Sequence, residues 1–477
     1  MKLLETMERY LAEENIPFHM PGHKRCTTGV WPQSVMKRDV TEVDELDDLH
    51  HADGAIAELQ SWISDLYGSR RSYCLVNGST GGVLSAMWAV SRPGDHILIA
   101  RNCHKSVYHG LQLLGLRPCY LYPPVSAEGF ALGITAAQVE HALEQAGRVN
   151  RLPIAMVLTS PTYEGVLSEV EAIAGCLHKR GIPLIVDEAH GAHLRYHAAF
   201  PATAVEAGAD LVIQSLHKTL PALTQTALLH RQGDLVDAQR LAYALQMFQT
   251  SSPSYVFLQN IESCLTFVQE PSRWQSYVER LQSLRERLFG LAGGQPALWK
   301  PDEEVRGLYD PSKLVLLAPG RGEQLYRSLR TRFSIQAELW QPDHCLLMTS
   351  AADSPEAYER LFLAVETLGR EWLTEPAAGR TATLSELPQA VVAAEPGTAV
   401  RADKQWLAPV SAIGHIAAGM VYPYPPGIPL VAPGERVTES ISDMIRCYLQ
   451  SGTKLQGSGL RQTEVGWELA VMKEEGL

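Results

Sequence analysis

The residues best placed to do chemistry in this sequence are a lysine and an acid, each at the end of an apolar run. In DLVIQSLHKTL (210–220), Lys218 follows strand-like residues and is flanked by Ser215 and His217. An unpaired ammonium is costly in a buried setting, so such a lysine has a covalent or anionic partner or reaches solvent. The pattern suits a Schiff-base lysine with Ser215 and His217 available to a phosphate. It also suits a surface lysine on a loop. In IPLIVDEAHG (182–191), four apolar residues run straight into Asp187. A carboxylate at a strand terminus can hold a protonated pyridine nitrogen, ligate a metal, or cap a helix. Asp187, Glu188, His190 and His193 together have a metal-like look. HEXXH is missing and no second ligand cluster accompanies them, so metal is the weaker reading.

Two further features precede these. Asn77-Gly78-Ser79-Thr80-Gly81-Gly82 lies between a strand-like and a helix-like segment. Glycines and hydroxyls at a helix N-terminus make an anion site from backbone N–H groups and the helix dipole, or a plain N-cap. The loop fits neither GxGxxG nor GxxxxGK[ST], which removes the main support for dinucleotide or P-loop binding. His104, in RNCHKS, is placed to stack on an aromatic cofactor, to cap a helix, or to sit satisfied at the surface.

The elements that must position these residues are short apolar runs alternating with helical segments from Tyr73 onward. YCLVNGST reads as strand and turn, GGVLSAMWAV as a helix, HILIA (96–100) as a strand, SVYHGLQLLG as a helix and PCYLY as a strand. IAMVLTSPTY, IPLIVDEAHG and DLVIQSLHKTL continue the series, the last as strand and loop. Doubly buried strands each followed by a helix specify a largely parallel sheet, with functional groups at the carboxyl ends of its strands. The expected fold is therefore α/β, a mostly parallel sheet with helices on both faces. Residues 1–70 read as a helix followed by an irregular arm and 71–295 as the large domain. A small α/β domain is expected over 296–375. Residues 376–477 form a C-terminal region with a connecting segment and a helical end.

Composition narrows the function class. The 477 residues carry 41 Lys plus Arg against 53 Asp plus Glu, a net charge of -12 that disfavours nucleic acid as a partner. Eight scattered cysteines, none in a CxxC pair, read as reduced thiols. The charged, amphipathic N-terminus lacks the apolar core of a secretion signal. No apolar run approaches the roughly 18 residues of a membrane span, so a cytoplasmic protein with no membrane contact is expected.

Anion loop, histidine, strand-terminal acid, then lysine is the order of aspartate-aminotransferase-like enzymes dependent on pyridoxal 5'-phosphate (PLP), fold type I. The sequence more specifically resembles the ornithine/lysine/arginine decarboxylase family. The likeness is carried by PFHMPGHK (17–24), DELDDLHHADGAIAELQ (44–60), RNCHKS (101–106), SPTYEG (160–165), VDEAHGAH (186–193), SLHKTLPALTQTALLH (215–230), TSSPSY (250–255) and YPPGIPLVAPGE (424–435). It is to the shorter members, without an N-terminal wing domain. The resemblance implies that Lys218 forms the internal aldimine, Asp187 pairs with the pyridine nitrogen and His190 lies near the ring's phenolic oxygen. It implies that His104 stacks on the ring, and that Ser79, Thr80, Ser215 and His217 hold the phosphate. Ser252, or its neighbour Ser251, would reach the phosphate of a second subunit in a homodimer. The implied reaction is decarboxylation of arginine or lysine, with ornithine behind them, to agmatine or a diamine through a quinonoid intermediate. Lys218 or His104 would protonate Cα.

Candidates for gripping the substrate's distal cation are Asp44, Glu45, Asp47, Asp48 and Glu435. The position of Glu164 is occupied in many relatives by an aromatic or an aspartate, and 374–404 matches the family poorly. The rival readings are another fold-type-I enzyme such as an aminotransferase, with Arg195 or Arg401 on the substrate carboxylate, a non-catalytic regulatory homologue, and a metal hydrolase built on DEAHGAH.

Overall fold

The computed structural model describes residues 3–12, 33–43, 46–291, 294–374, 387, 389–424, 427–450 and 452–473. PFHMPGHK, Asp44 and Glu45 lie outside the described residues. Seven strands, β1 (Arg71–Leu75), β2 (His96–Ala100), β3 (Arg117–Leu121), β4 (Met156–Thr159), β5 (Leu184–Asp187), β6 (Leu211–Ser215) and β7 (Ala227–Arg231), form one sheet. Their order is β1-β7-β6-β5-β4-β2-β3. β2 pairs in parallel with β3 and with β4, and β5 with β6, while β7 runs antiparallel to both β1 and β6. Parallel neighbours need crossover connections. Helices α4 (Gly78–Val90), α5 (Lys105–Leu114), α6 (Ala136–Arg148) and α7 (Val170–His178) lie in those connections, while α1 (Leu3–Ala12), α2 (Gln33–Arg38) and α3 (Ala55–Tyr67) precede β1 and the single turn α8 (Leu216–Thr219) leads from β6 to the antiparallel β7. The fold is the expected mixed α/β architecture.

The chain forms two compact units, 1–90 with 183–275 and 91–182 with 276–477. In the first, every residue of β5, β6 and β7 is buried, as in strands covered on both faces. Helix α4 lies close on this sheet because residue 82 is glycine. A Cβ there would stand 2.6 Å from Leu75 Cδ1 and 3.0 Å from Ile213 Cγ2, inside van der Waals contact. In the second unit, a four-stranded antiparallel sheet over residues 297–348 carries the helix Pro355–Trp372 after it. The C-terminal helix Glu439–Gln450 buries Ile441, Met444 and Ile445 against Val421, Val431, Leu469 and Val471, as its apolar spacing requires.

Three elements depart from the sequence reading. The arm before residue 70 contains α2 and α3, and α3 repeats apolar residues at Ile56, Leu59, Ile63 and Tyr67. The segment after β6 is a helical turn, with Ser215 as its N-cap residue in extended conformation. The next segment, read only as part of a motif, is β7. Its antiparallel pairing is set up where Leu216 N–H donates to the Thr226 carbonyl.

Candidate active site

β5 and β6 are adjacent and parallel, with Asp187 opposite Ile213. Asp187 and Ser215 therefore lie at the same edge of the sheet and, two positions apart in register, on the same face. One turn of α8 then carries the chain from Ser215 to Lys218, whose Nζ is 3.2 Å from His190 Nε2. Burial pushes the Asp187 carboxyl above the usual carboxylate range, and the Lys218 ammonium opposes that rise. Its Oδ1 accepts from the Ala189 N–H at 3.2 Å. Asp187, His190, Ser215 and Lys218 are thus gathered by two strand ends.

Two hydroxyls on this turn, Ser215 Oγ and Thr219 Oγ1, are buried with no hydrogen-bond partner among the described residues. A buried hydroxyl without a partner costs free energy, and here a ligand with acceptor oxygens removes that cost. The donor set fits PLP: an amine for its aldehyde, a buried carboxylate for its ring nitrogen, and hydroxyls for its phosphate. His217 is half-buried, and its Nδ1 donates to the Thr226 carbonyl at 3.0 Å, which leaves Nε2 for an anion. Burial, reinforced by Lys218, holds its pKa below the usual histidine range.

Ser79 and Thr80 lie in the first turn of α4, half-buried and exposed respectively. The Gly78 N–H donates to the Gln225 carbonyl at 2.9 Å, while the following first-turn N–H groups have no intrahelical acceptor. Ser252 stands apart from this group. Its Oγ donates to Glu42 Oε1 at 2.7 Å on an exposed turn.

His104 belongs to the second unit, where it is the N-cap of α5 and its Nδ1 accepts from the Ser106 N–H. Behind its ring runs Gly427, at φ +85, where a Cβ would approach the imidazole to 3.3 Å. The sequence reading missed Gly427, although a glycine between prolines is a turn signal. Tyr163 and Glu164 also belong to this unit, and burial pushes the Glu164 carboxyl up to about 7.

Most of the acids considered for the substrate's distal cation are committed elsewhere. Glu435 is buried and bridges Arg101 Nη2 at 3.1 Å, and its Oε2 also accepts from the Ala432 N–H. Asp47 anchors the start of α3, accepting from the N–H groups of Asp53, Gly54, Ile56 and Ala57. Asp48 accepts from the His50 N–H and pairs with His51. Arg195, considered for an aminotransferase, packs over the Tyr67 ring at 5.4 Å, and Arg401 is exposed at the end of the helix Pro396–Arg401. Glu188, grouped with the histidines as a metal-like cluster, is held by Gln214 Nε2 and the Ala204 N–H, each at 2.6 Å.

Known proteins resemble this chain along most of its length. Residues 2–296 match the model of the Orn/Lys/Arg decarboxylase major domain, and residues 381–458 match that of its C-terminal domain. The YaaO protein of Bacillus subtilis is 32% identical over 479 residues, covering 96% of each chain. An arginine decarboxylase of Bacillus anthracis is 30% identical, over 95% of this chain and 94% of that one. The lysine decarboxylase of Francisella novicida superposes with a TM-score of 0.84 at 21% identity, covering 99% of this chain and 81% of that one, a likeness of fold.

Proposed function

The chain belongs to the Orn/Lys/Arg decarboxylase family and is a decarboxylase of basic amino acids, and we propose that it acts on arginine or lysine with PLP bound to Lys218. The observation that carries this reading is the meeting of Lys218, His190, buried Asp187 and the partnerless Ser215 hydroxyl at two adjacent strand ends. PLP, when bound, draws the electrons of the breaking Cα–carboxylate bond into its ring. Asp187 offers the ring nitrogen a carboxylate whose burial makes a counter-cation favourable. Ser215, His217 and the first turn of α4 at Ser79 and Thr80 take the phosphate. A phosphate dianion beside His217 favours the protonated ring and so makes Nε2 a donor. His104 covers the ring face. Lys218 Nζ, beside His190 Nε2, would deliver the proton to Cα. Ser252 serves the phosphate of a second subunit, so the working form is a homo-oligomer.

Arginine is placed first because the relatives that match this chain along nearly their whole length at 29–30% identity include arginine decarboxylases. The test is to record the visible absorbance of the purified protein with PLP and to assay carbon dioxide and amine release from arginine, lysine and ornithine. A lysine-bound PLP band and turnover of arginine or lysine are expected. Lys218→Ala is expected to lose the band and at least about four orders of magnitude in turnover. A colourless protein that gains no band with PLP, or full turnover by Lys218→Ala, overturns the proposal.

A further inference from the structure

The motif residue Glu188 has no part in the chemistry above, yet it is almost wholly buried at the end of β5. Room for it is made by Gly191, where a Cβ would stand 2.5 Å from Glu188 Cγ. From Glu188 a line of polar side chains crosses four strands. Its Oε2 accepts from Gln214 Nε2 at 2.6 Å, Gln214 Oε1 meets His230 Nε2 at 3.2 Å, and His230 Nδ1 meets Ser72 Oγ at 2.8 Å. Ser72 in turn meets Ser69 Oγ at 2.7 Å. The register explains the line. Ser72 is directly opposite His230, and His230 is opposite Val212, two residues and one pleat repeat before Gln214. Glu188 follows Asp187, which is opposite Ile213, so it falls beside Gln214. All four side chains share one face, and by alternation Asp187 and Ser215 occupy the other.

With Gln214 Nε2 facing Glu188, its Oε1 is presented to His230, which places that ring's proton on Nε2. Nδ1 then accepts from the Ser72 hydroxyl. Each side-chain nitrogen and oxygen of Glu188, Gln214, His230 and Ser72 has a hydrogen-bond partner, and buried networks of this kind favour one geometry.

We propose that Glu188 and Gln214 are positioning residues, a clamp directly behind Asp187 and Ser215 that fixes the offset between the ends of β5 and β6. Each clamp residue is the immediate sequence neighbour of a residue that meets the cofactor, so a slip of one strand end changes the distance between the ring-nitrogen partner and the phosphate partner together. The inference rests on the PLP reading.

The experiment compares wild type with Glu188→Ala, Gln214→Leu and Glu188→Gln, measuring the PLP dissociation constant, the absorption maximum of bound PLP, and kcat and KM separately. Glu188→Ala and Gln214→Leu are expected to weaken PLP binding and kcat by roughly tenfold or more, with a displaced absorption maximum and little change in KM. Glu188→Gln is expected to recover most of the loss, because the Gln214 amide and the His230 tautomer can both reverse and keep the line satisfied. Leu241→Ala, a core truncation on the helix Ala238–Phe248, controls for lost stability and is expected to leave the absorption maximum in place. Folded Glu188→Ala and Gln214→Leu proteins with wild-type PLP affinity, spectrum and kcat overturn the clamp while leaving the PLP reading intact. So does a spectral displacement matched by Leu241→Ala. A wild-type protein without bound PLP overturns the PLP reading instead.

Discussion

Ser215 shows how a single atom can point to a ligand. Its hydroxyl is buried at the end of a fully buried strand and has no hydrogen-bond partner among the described residues. A phosphate oxygen in that place converts an unfavourable group into one half of a charge-assisted hydrogen bond, for which about 1.5–3 kcal/mol is typical. Ser215→Ala is therefore expected to raise the PLP dissociation constant by about 10- to 100-fold, measured by titrating the cofactor-free protein, while the absorbance of the saturated enzyme is retained. At this scale the sequence was informative where a polar residue interrupts an apolar run, as Lys218 and Asp187 do. It was silent on Gln214, His230 and Ser72 and read Glu188 only within a metal-like group, because each looks ordinary until strands distant in sequence become neighbours. Nor could it show the partner of Glu435, because Arg101 is 334 residues away.

That Arg101–Glu435 pair belongs to the scale of elements, because it ties the end of β2 to the segment entering the C-terminal helix. Arg101 also donates to the Tyr108 hydroxyl at 2.6 Å and to the Pro429 and Leu430 carbonyls. Removing one partner leaves a buried charge uncompensated, which typically costs about 3–5 kcal/mol. Glu435→Ala is expected to lower the melting temperature markedly, without changing the ratio of arginine to lysine turnover. A changed ratio would return Glu435 to the substrate. The strands from Tyr73 to Ser215 were legible because each contains a short apolar run, whereas the helix Ala136–Arg148 between two of them was not read. Helix α3 was lost to the motif-like residues around it, and β7 because a hairpin return leaves no crossover helix to mark it. The turn α8 is too short for any periodicity, yet it sets where Lys218 stands.

For the molecule as a whole, buried titratable groups of opposite type predict how stability depends on pH. Burial holds the His230 ring down to about 3 and the His344 ring down to about 4. For such groups the stability present above about pH 6.5 is lost as pH falls towards those values, because the unfolded chain takes up protons that the native state refuses. Burial raises the Glu164 carboxyl to about 7. Its contribution is complete below about pH 4.5 and is lost as pH rises through about 7. Thermal midpoints measured from about pH 4.5 to about pH 8.5 should pass through a maximum near about pH 6. Glu164→Gln is expected to flatten the alkaline limb by about 2 kcal/mol, and His344→Gln to flatten the acid limb by a similar amount. Unchanged limbs in both variants would contradict this assignment of the buried charges.

The first unit is made of residues 1–90 and 183–275, with residues 91–182 leaving and returning between them. Bringing the two ends of such an insert together costs about 4 kcal/mol of loop entropy for a flexible chain of that length. During synthesis, β1 and the α4 turn at Ser79 emerge well before β7, the strand that joins β1 to β6. A chain released or cleaved before residue 227 thus contains Lys218, Asp187 and Ser79 in sequence but lacks the strand that links β1 to β6. Vulnerability to proteases during translation should accordingly fall when β7 is made, rather than when Lys218 is.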